Sequence, residues 1–130
     1  MLKIKEETKM RVFKCQCGNM VELLQEGTCP IMCCGKPMTE LTANTTDAAT
    51  EKHVPVVAVD GNKVTVTVGE VEHPMLDAHY IQWIFVETKN GVLRKNLKPG
   101  EAPKAEFVLA EGDEVVAVYE YCNLHGLWKK

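Results

Sequence analysis

The sequence predicts a mainly β protein, a β-sandwich preceded by a small Cys-rich metal-binding module. Three observations predict it. From residue 53 onward, short runs rich in Val, Ile and Thr alternate with Gly- and Pro-containing turns, the spacing expected of a sandwich. In Lys63–Val68, KVTVTV, apolar and polar residues alternate strictly, which is the period of a half-buried strand. Five of the six Cys lie between Cys15 and Cys34, too close together to be scattered core residues. At 130 residues and 14.5 kDa the chain holds one ordinary domain and a small appendage.

Residues 1–11 read as a flexible lead within a Cys-rich module that spans 1–38, whose compact part runs from 12 to 38 and contains Gly18 and Gly35. Residues 39–52, TELTANTTDAATEK, are polar and Thr-rich and read as a linker. The sandwich is expected over 53–130. Its first hairpin joins strands at 54–59 and 63–68 through Asp60-Gly61-Asn62. Further strands are expected at 80–88, 92–97, 104–110 and 114–121. Lys89-Asn90-Gly91, Lys98-Pro99-Gly100 and Glu111-Gly112-Asp113 separate them as turns. One helical turn is expected around Met75–His79.

Composition narrows the function. A net charge of −3 argues against general nucleic-acid binding, which needs clustered cations. No apolar run reaches the length that spans a bilayer, so no membrane partner is expected. The opening residues lack the pattern of a secretory leader, so a cytoplasmic setting is expected and clustered Cys read as metal ligands before disulfides.

The four His stand at 53, 73, 79 and 125, all at expected strand edges or in loops. Pro74 follows His73 and stops strand pairing there. His125 lies three residues after Cys122, directly after the last expected strand. Taken singly, each His reads as an ordinary solvated loop residue, and Cys122 as a buried structural thiol. Together they read differently, because loops of a sandwich cluster at its two ends and distant loop residues converge there. Four imidazoles and one thiolate suit iron, copper or zinc.

Three segments carry a resemblance. Glu51-Lys52-His53-Val54-Pro55, His73-Pro74-Met75 with His79-Tyr80-Ile81 and Trp83, and Tyr121 to Trp128 resemble the signature segments of superoxide reductases, the desulfoferrodoxin and neelaredoxin proteins. The resemblance runs from about Val12 to the C-terminus. It implies an immunoglobulin-like sandwich of seven strands. It implies a mononuclear non-haem iron held equatorially by His53, His73, His79 and His125 and axially by Cys122. It implies one-electron reduction of superoxide to hydrogen peroxide, with re-reduction by a small external donor such as rubredoxin, and assembly as a homodimer or homotetramer. Glu51 and Lys52 are implied to flank the open coordination position, Glu51 as a sixth ligand of the oxidised iron and Lys52 as a positive charge that helps to place a proton-supplying water. The amides after Cys122 are placed to hydrogen-bond its sulfur. Pro55, Pro74, Trp83 and Trp128 are expected to shape or cover the site.

The N-terminal module resembles the desulforedoxin-like domain of desulfoferrodoxins but departs from it. The first pair is Cys15-Gln16-Cys17, one residue short of Cys-x-x-Cys, and Cys29 is an additional thiol ahead of Cys33-Cys34. Five close thiols favour a [4Fe-4S] cluster over a single iron or zinc ion. Four of Cys15, Cys17, Cys29, Cys33 and Cys34 would hold it. A single ion on Cys17, Cys29, Cys33 and Cys34, and a metal-free module, stay open. Two other classes compete with the enzyme: a zinc-ribbon binding module on a sandwich domain, and an iron electron-transfer protein.

Overall fold

The computed structural model describes residues 10–130, and most of the lead expected at 1–11 lies outside them. Contacts divide the described chain between Thr42 and Ala43 into two compact units.

In the N-terminal unit, β1 (Val12–Lys14) is the centre of an antiparallel sheet, flanked by β2 (Met20–Glu22) and β5 (Thr39–Glu40). A second hairpin pairs β3 (Met32–Cys33) with β4 (Lys36–Pro37). Its two turn residues, Cys34 and Gly35, have φ of 53° and 72°. Both are left-handed, as a type I′ turn requires. Arg11 pairs with Glu40 at 2.8 and 3.0 Å across the sheet. Among the described residues of this unit, only Val12 and Cys15 are buried apolar side chains. So small a core stabilises little by itself.

The C-terminal unit opens with the four-residue helix α1 (Thr50–His53) and continues with seven strands. One sheet has the order β10-β7-β6, formed by β6 (Pro55–Asp60), β7 (Lys63–Val68) and β10 (Lys104–Val108). The other has the order β12-β11-β8-β9, formed by β8 (Ile81–Thr88), β9 (Val92–Asn96), β11 (Val115–Cys122) and β12 (Gly126–Lys129). The seven-stranded sandwich is therefore the observed fold. In β7 the alternation holds as expected: Val64, Val66 and Val68 are fully buried, and Thr65 and Thr67 are half-buried. These Val pack with Ile84, Val86, Phe107 and Val118 from the two sheets.

Two expectations need correction. Met75–His79 is not a helical turn. Leu76 and His79 exchange backbone hydrogen bonds at 2.9 and 3.1 Å, closing a two-residue β-turn that holds His79 at its end. The helical turn lies instead at Thr50–His53, inside the stretch read as linker, where Lys52 N–H donates to Ala49 and Val54 N–H to Thr50. The strand β12 is an addition to the expected set, because four residues after a Cys-x-x-His turn carry too short a pattern to register.

Candidate metal centre

Three connections supply the site. Helix α1 leads into β6 and ends in His53, the β7–β8 connection carries His73 and His79, and the β11–β12 turn runs from Cys122 to His125. Their imidazole rings close a square. Ring centroids lie 4.7 Å apart for His53–His73, 4.7 Å for His73–His79, 5.0 Å for His79–His125 and 4.9 Å for His125–His53. Each neighbouring pair is edge-on. Cys122 is fully buried beside them, and one donor atom from each of the five residues lies within 4.8 Å of all the others.

Two backbone carbonyls decide which nitrogens face inward. The Nδ1–H of His53 donates to the Ala49 carbonyl at 2.7 Å, and that of His73 to the Pro74 carbonyl at 2.7 Å. Each Nε2 is then left as a bare lone pair. These two Nε2 atoms face each other at 3.1 Å. Two lone pairs at that distance repel unless a cation lies between them. The Nδ1 of His125 stands 3.1 Å from the Nε2 of His53, so His125 presents the opposite ring nitrogen. Nitrogens about 2.1 Å from one ion and at right angles about it stand about 3.0 Å apart. The buried Nε2 of His79 has no hydrogen-bond partner among the described residues. The donor set therefore fits a metal ion.

Electrostatics agree. Burial lowers the pKa of His53 and His79, and brings that of His73 to about 4, so all three imidazoles are neutral donors at neutral pH. The positive charge of Lys52 contributes, after burial, to the lowering at His79. Burial pushes the Cys122 thiol up, while the backbone N–H groups of Leu124 and His125 hydrogen-bond the sulfur and pull it back. Glu120, two residues earlier, is fully buried with neither carboxylate oxygen partnered among the described residues, and burial raises its pKa to about 9. A carboxylate there would also raise the thiol, so burial favours the neutral acid beside the sulfur.

The surroundings of the square divide the four residues expected to shape it. Trp128 stacks on His53 at 4.9 Å, and its indole N–H donates to the His125 carbonyl at 3.0 Å. Pro74 supplies the His73 acceptor. Pro55 is buried at the start of β6. Trp83 instead stacks on Tyr121 of β11 and lies tilted against Phe85 of β8. Glu51 and Lys52 are exposed on α1, and the Glu51 carboxylate is outside the five-donor group.

Three contributors escape the sequence reading. Ala49 acts through a carbonyl, which no side-chain pattern reveals. Asn123 clamps two loops together: its side chain accepts from Tyr80 N–H at 2.9 Å and donates to the Ala78 carbonyl at 3.0 Å, fixing the His79 turn to the Cys122–His125 turn. Gly69 packs against the backbone of Glu51 and Lys52.

In the N-terminal unit a second group forms from Cys15, Cys17, Cys33 and Cys34, whose sulfurs also lie within 4.8 Å of one another. The short Cys-x-Cys loop closes because Gly18 N–H donates to the Cys15 carbonyl at 2.9 Å and Gly18 adopts φ of 101°. Cys33 Sγ is 3.7 Å from Cys17 Sγ and 3.6 Å from the Asn19 side-chain nitrogen. Cys29 stands outside this group, exposed beside Thr28. Hydrogen bonding from Cys33 lowers the pKa of Cys15 to about 7, and the same hydrogen bond raises that of Cys33 to about 12. Four sulfurs so close together offer the donor set of a metal ion.

An immunoglobulin-like sandwich with a five-donor site, joined in one chain to a separate four-thiol module, defines a protein with two candidate metal centres. Comparison with known proteins gives the particular family. The Desulfoferrodoxin family description matches residues 45–130, and the Desulfoferrodoxin N-terminal domain matches residues 7–41. A desulfoferrodoxin homolog of Archaeoglobus fulgidus is 50% identical over 121 residues, covering 92% of this chain and 95% of its own. The desulfoferrodoxin of Nitratidesulfovibrio vulgaris is 50% identical over 119 residues, covering 91% and 93%. The crystal structure of the superoxide reductase from Treponema pallidum superposes with a TM-score of 0.80 at 36% identity, covering 95% of this chain and 99% of its own. The chain belongs to the desulfoferrodoxin family.

Proposed function

We propose that this protein is a superoxide reductase. It reduces superoxide with one electron and two protons to hydrogen peroxide, and an external small electron-transfer protein such as rubredoxin restores the electron. The observation that carries this reading is the pair of bare Nε2 lone pairs of His53 and His73, 3.1 Å apart in a closed square of four imidazoles with a buried thiol beside it.

His53, His73, His79, His125 and Cys122 would hold iron. Bound there, iron supplies the single electron and a positive centre that draws the superoxide anion. The protein's own residues do the rest. Imidazole ligands carry no charge and would leave the centre positive, and the Leu124 and His125 amides moderate the donor strength of the Cys122 sulfur. The exposed Lys52 ammonium raises the local concentration of an anionic substrate, and Glu51 on the same helix is the candidate sixth ligand.

For the N-terminal centre we infer one ion on Cys15, Cys17, Cys33 and Cys34 rather than a [4Fe-4S] cluster. Four sulfurs about 2.3 Å from a single ion stand about 3.8 Å apart, close to the 3.7 Å between Cys17 and Cys33. A cluster places each thiolate on a different iron and spreads them further. The cytoplasmic setting and self-association as a dimer or tetramer belong to the same reading. Among the described residues no helix is long and apolar enough to cross a membrane.

The test measures superoxide consumed, peroxide formed and dioxygen released by anaerobically purified protein with a reductant present. One peroxide per superoxide and no dioxygen is expected. Dioxygen at half the superoxide consumed would mean dismutation and would overturn the reading. Iron, zinc and acid-labile sulfide are counted on the same sample. Two metal ions and no sulfide are expected, whereas about five irons with about four sulfides would restore the cluster. A zinc-ribbon binding role predicts zinc in the first unit and an empty five-donor site.

A further inference from the structure

The imidazoles of the square are not all aimed in the same way. His53 and His73 are each turned by a carbonyl bonded to their own ring, at Ala49 and Pro74. His79 is held through its backbone. On one side its tight turn exchanges hydrogen bonds with Leu76. On the other side stands Asn123, the residue directly after Cys122.

Asn123 grips the chain on both flanks of His79. Its side-chain oxygen accepts from the Tyr80 N–H at 2.9 Å, its side-chain nitrogen donates to the Ala78 carbonyl at 3.0 Å, and its backbone N–H donates to the Tyr80 carbonyl at 3.2 Å. An Asn side chain can make both of its bonds because it carries an acceptor and a donor on one short stem. An ionised Asp would supply acceptors alone, and Ala neither. The grip falls where the sheet itself is irregular. The β8–β11 ladder pairs Tyr121 with Trp83 but Cys122 with Ile81, so the register slips beside the site. Such a slip bends the strand and re-aims the side chains next to it. Beyond it, the bonds of Asn123 take over from the ladder and tie the two segments together again.

We propose that Asn123 is the positioning residue that sets the His79 imidazole against the Cys122 sulfur, so that these two donors reach the metal as one unit. This role rests on the five donors being the iron site. With the grip in place, the His79 ring closes the square at 4.7 Å from His73 and 5.0 Å from His125. Without the side-chain amide, the stretch from Ala78 to Tyr80 keeps the Leu76 turn and one backbone bond to Asn123. The His79 ring then gains freedom that metal binding has to remove, and affinity falls. His53 and His73 keep their own carbonyl acceptors and are not loosened with it.

The full chain, loaded with iron(II) or with zinc as a diamagnetic probe, tests this in Asn123→Ala and Asn123→Asp. Anaerobic chelator competition should show iron(II) held about 10–100-fold more weakly at the five-donor site of Asn123→Ala, the range for losing a group that orients a ligand. Asn123→Asp keeps the acceptor for the Tyr80 N–H and should fall between that variant and the natural protein. It also gives a reading if Asn123→Ala fails to fold. The metal content of the N-terminal unit should not change in either. In the zinc form, the imidazole resonances of His79 should shift or broaden while those of His53 and His73 stay in place. Natural affinity in both variants overturns the role. A weakened site with all four rings disturbed alike also overturns it, and makes Asn123 a general support of the loops. A five-donor site that stays empty in iron-loaded natural protein overturns both this role and the metal reading. Absence of superoxide reduction, with the affinities and His79 resonances as expected, overturns the reductase reading alone.

Discussion

A Cβ built on Gly69 would stand 2.5 Å from the carbonyl oxygen of Glu51, closer than any side chain can approach. It would also meet the Lys52 carbonyl carbon at 2.7 Å. Gly69 follows directly on β7 and is buried. Two residues later, the Val71 N–H donates to that same Glu51 carbonyl at 2.9 Å. The end of a core strand is thus packed onto the backbone that carries Glu51, Lys52 and then the ligand His53.

Gly69→Ala therefore has to push α1 away from β7. The expected outcome is a loss of about 1–3 kcal/mol in stability, the range for overpacking, with a slower reaction with superoxide in protein that still binds its metal. Thermal unfolding and pulse-radiolysis rates, measured together, check it. Natural values of both would show that the contact relaxes without moving α1.

Lys52 contributes charge and little packing, since it is exposed on α1. Lys52→Ala should leave the metal content and melting temperature unchanged. The second-order rate with superoxide should fall by about tenfold at low salt and lose most of its ionic-strength dependence. A rate that stays salt-dependent would assign the steering to other cations.

The thiols of the N-terminal unit divide four to one. Cys29→Ser should retain the full metal content of that unit, because Cys29 stands outside the sulfur group. Cys15→Ser should lose it and loosen the unit, because Cys15 is one of its two buried apolar residues. Metal analysis and protease resistance distinguish the two variants. Equal loss in both would bring Cys29 into the site.

Acid should weaken the metal-free protein in a defined window. Burial holds His73 at about 4 and lowers His53 and His79, against about 6.5 in the unfolded chain. The folded state favours neutral imidazole, so below about 6.5 the unfolded chain binds more protons. Stability is full above that pH and falls progressively toward about 4. Melting temperatures of metal-free protein between pH 7.5 and 4.5 check the sign. A flat profile would mean that these imidazoles are solvated when no metal holds them.

Much of this was legible in the chain itself because it is locally encoded. The Val-Thr alternation of β7 reports one buried face, and turn residues mark the ends of six of the seven strands. Glu-Lys-His, His-Pro-Met and Cys-Asn-Leu-His are short enough to be read without a fold, and with His79 they name all four imidazoles of the square and the thiol beside it. The helical turn was misplaced because Leu76 and His79 satisfy each other's backbone across a tight turn, while Thr50–His53 coils only with β7 and the Gly69 loop against it.

The sequence by itself determined the β class, the donor atoms available and the separation of the five N-terminal thiols from the imidazoles, since these follow from residue type and local period. Only the tertiary structure decided how they are used. The Ala49 and Pro74 carbonyls select the nitrogens of His53 and His73 that face inward. Asn123 joins two loops more than forty residues apart. The fold of the hairpin and the Cys15 loop leaves Cys29 aside. Each of these depends on backbone groups brought together from distant parts of the chain, and backbone groups are the same at every position of a sequence until packing gives them neighbours.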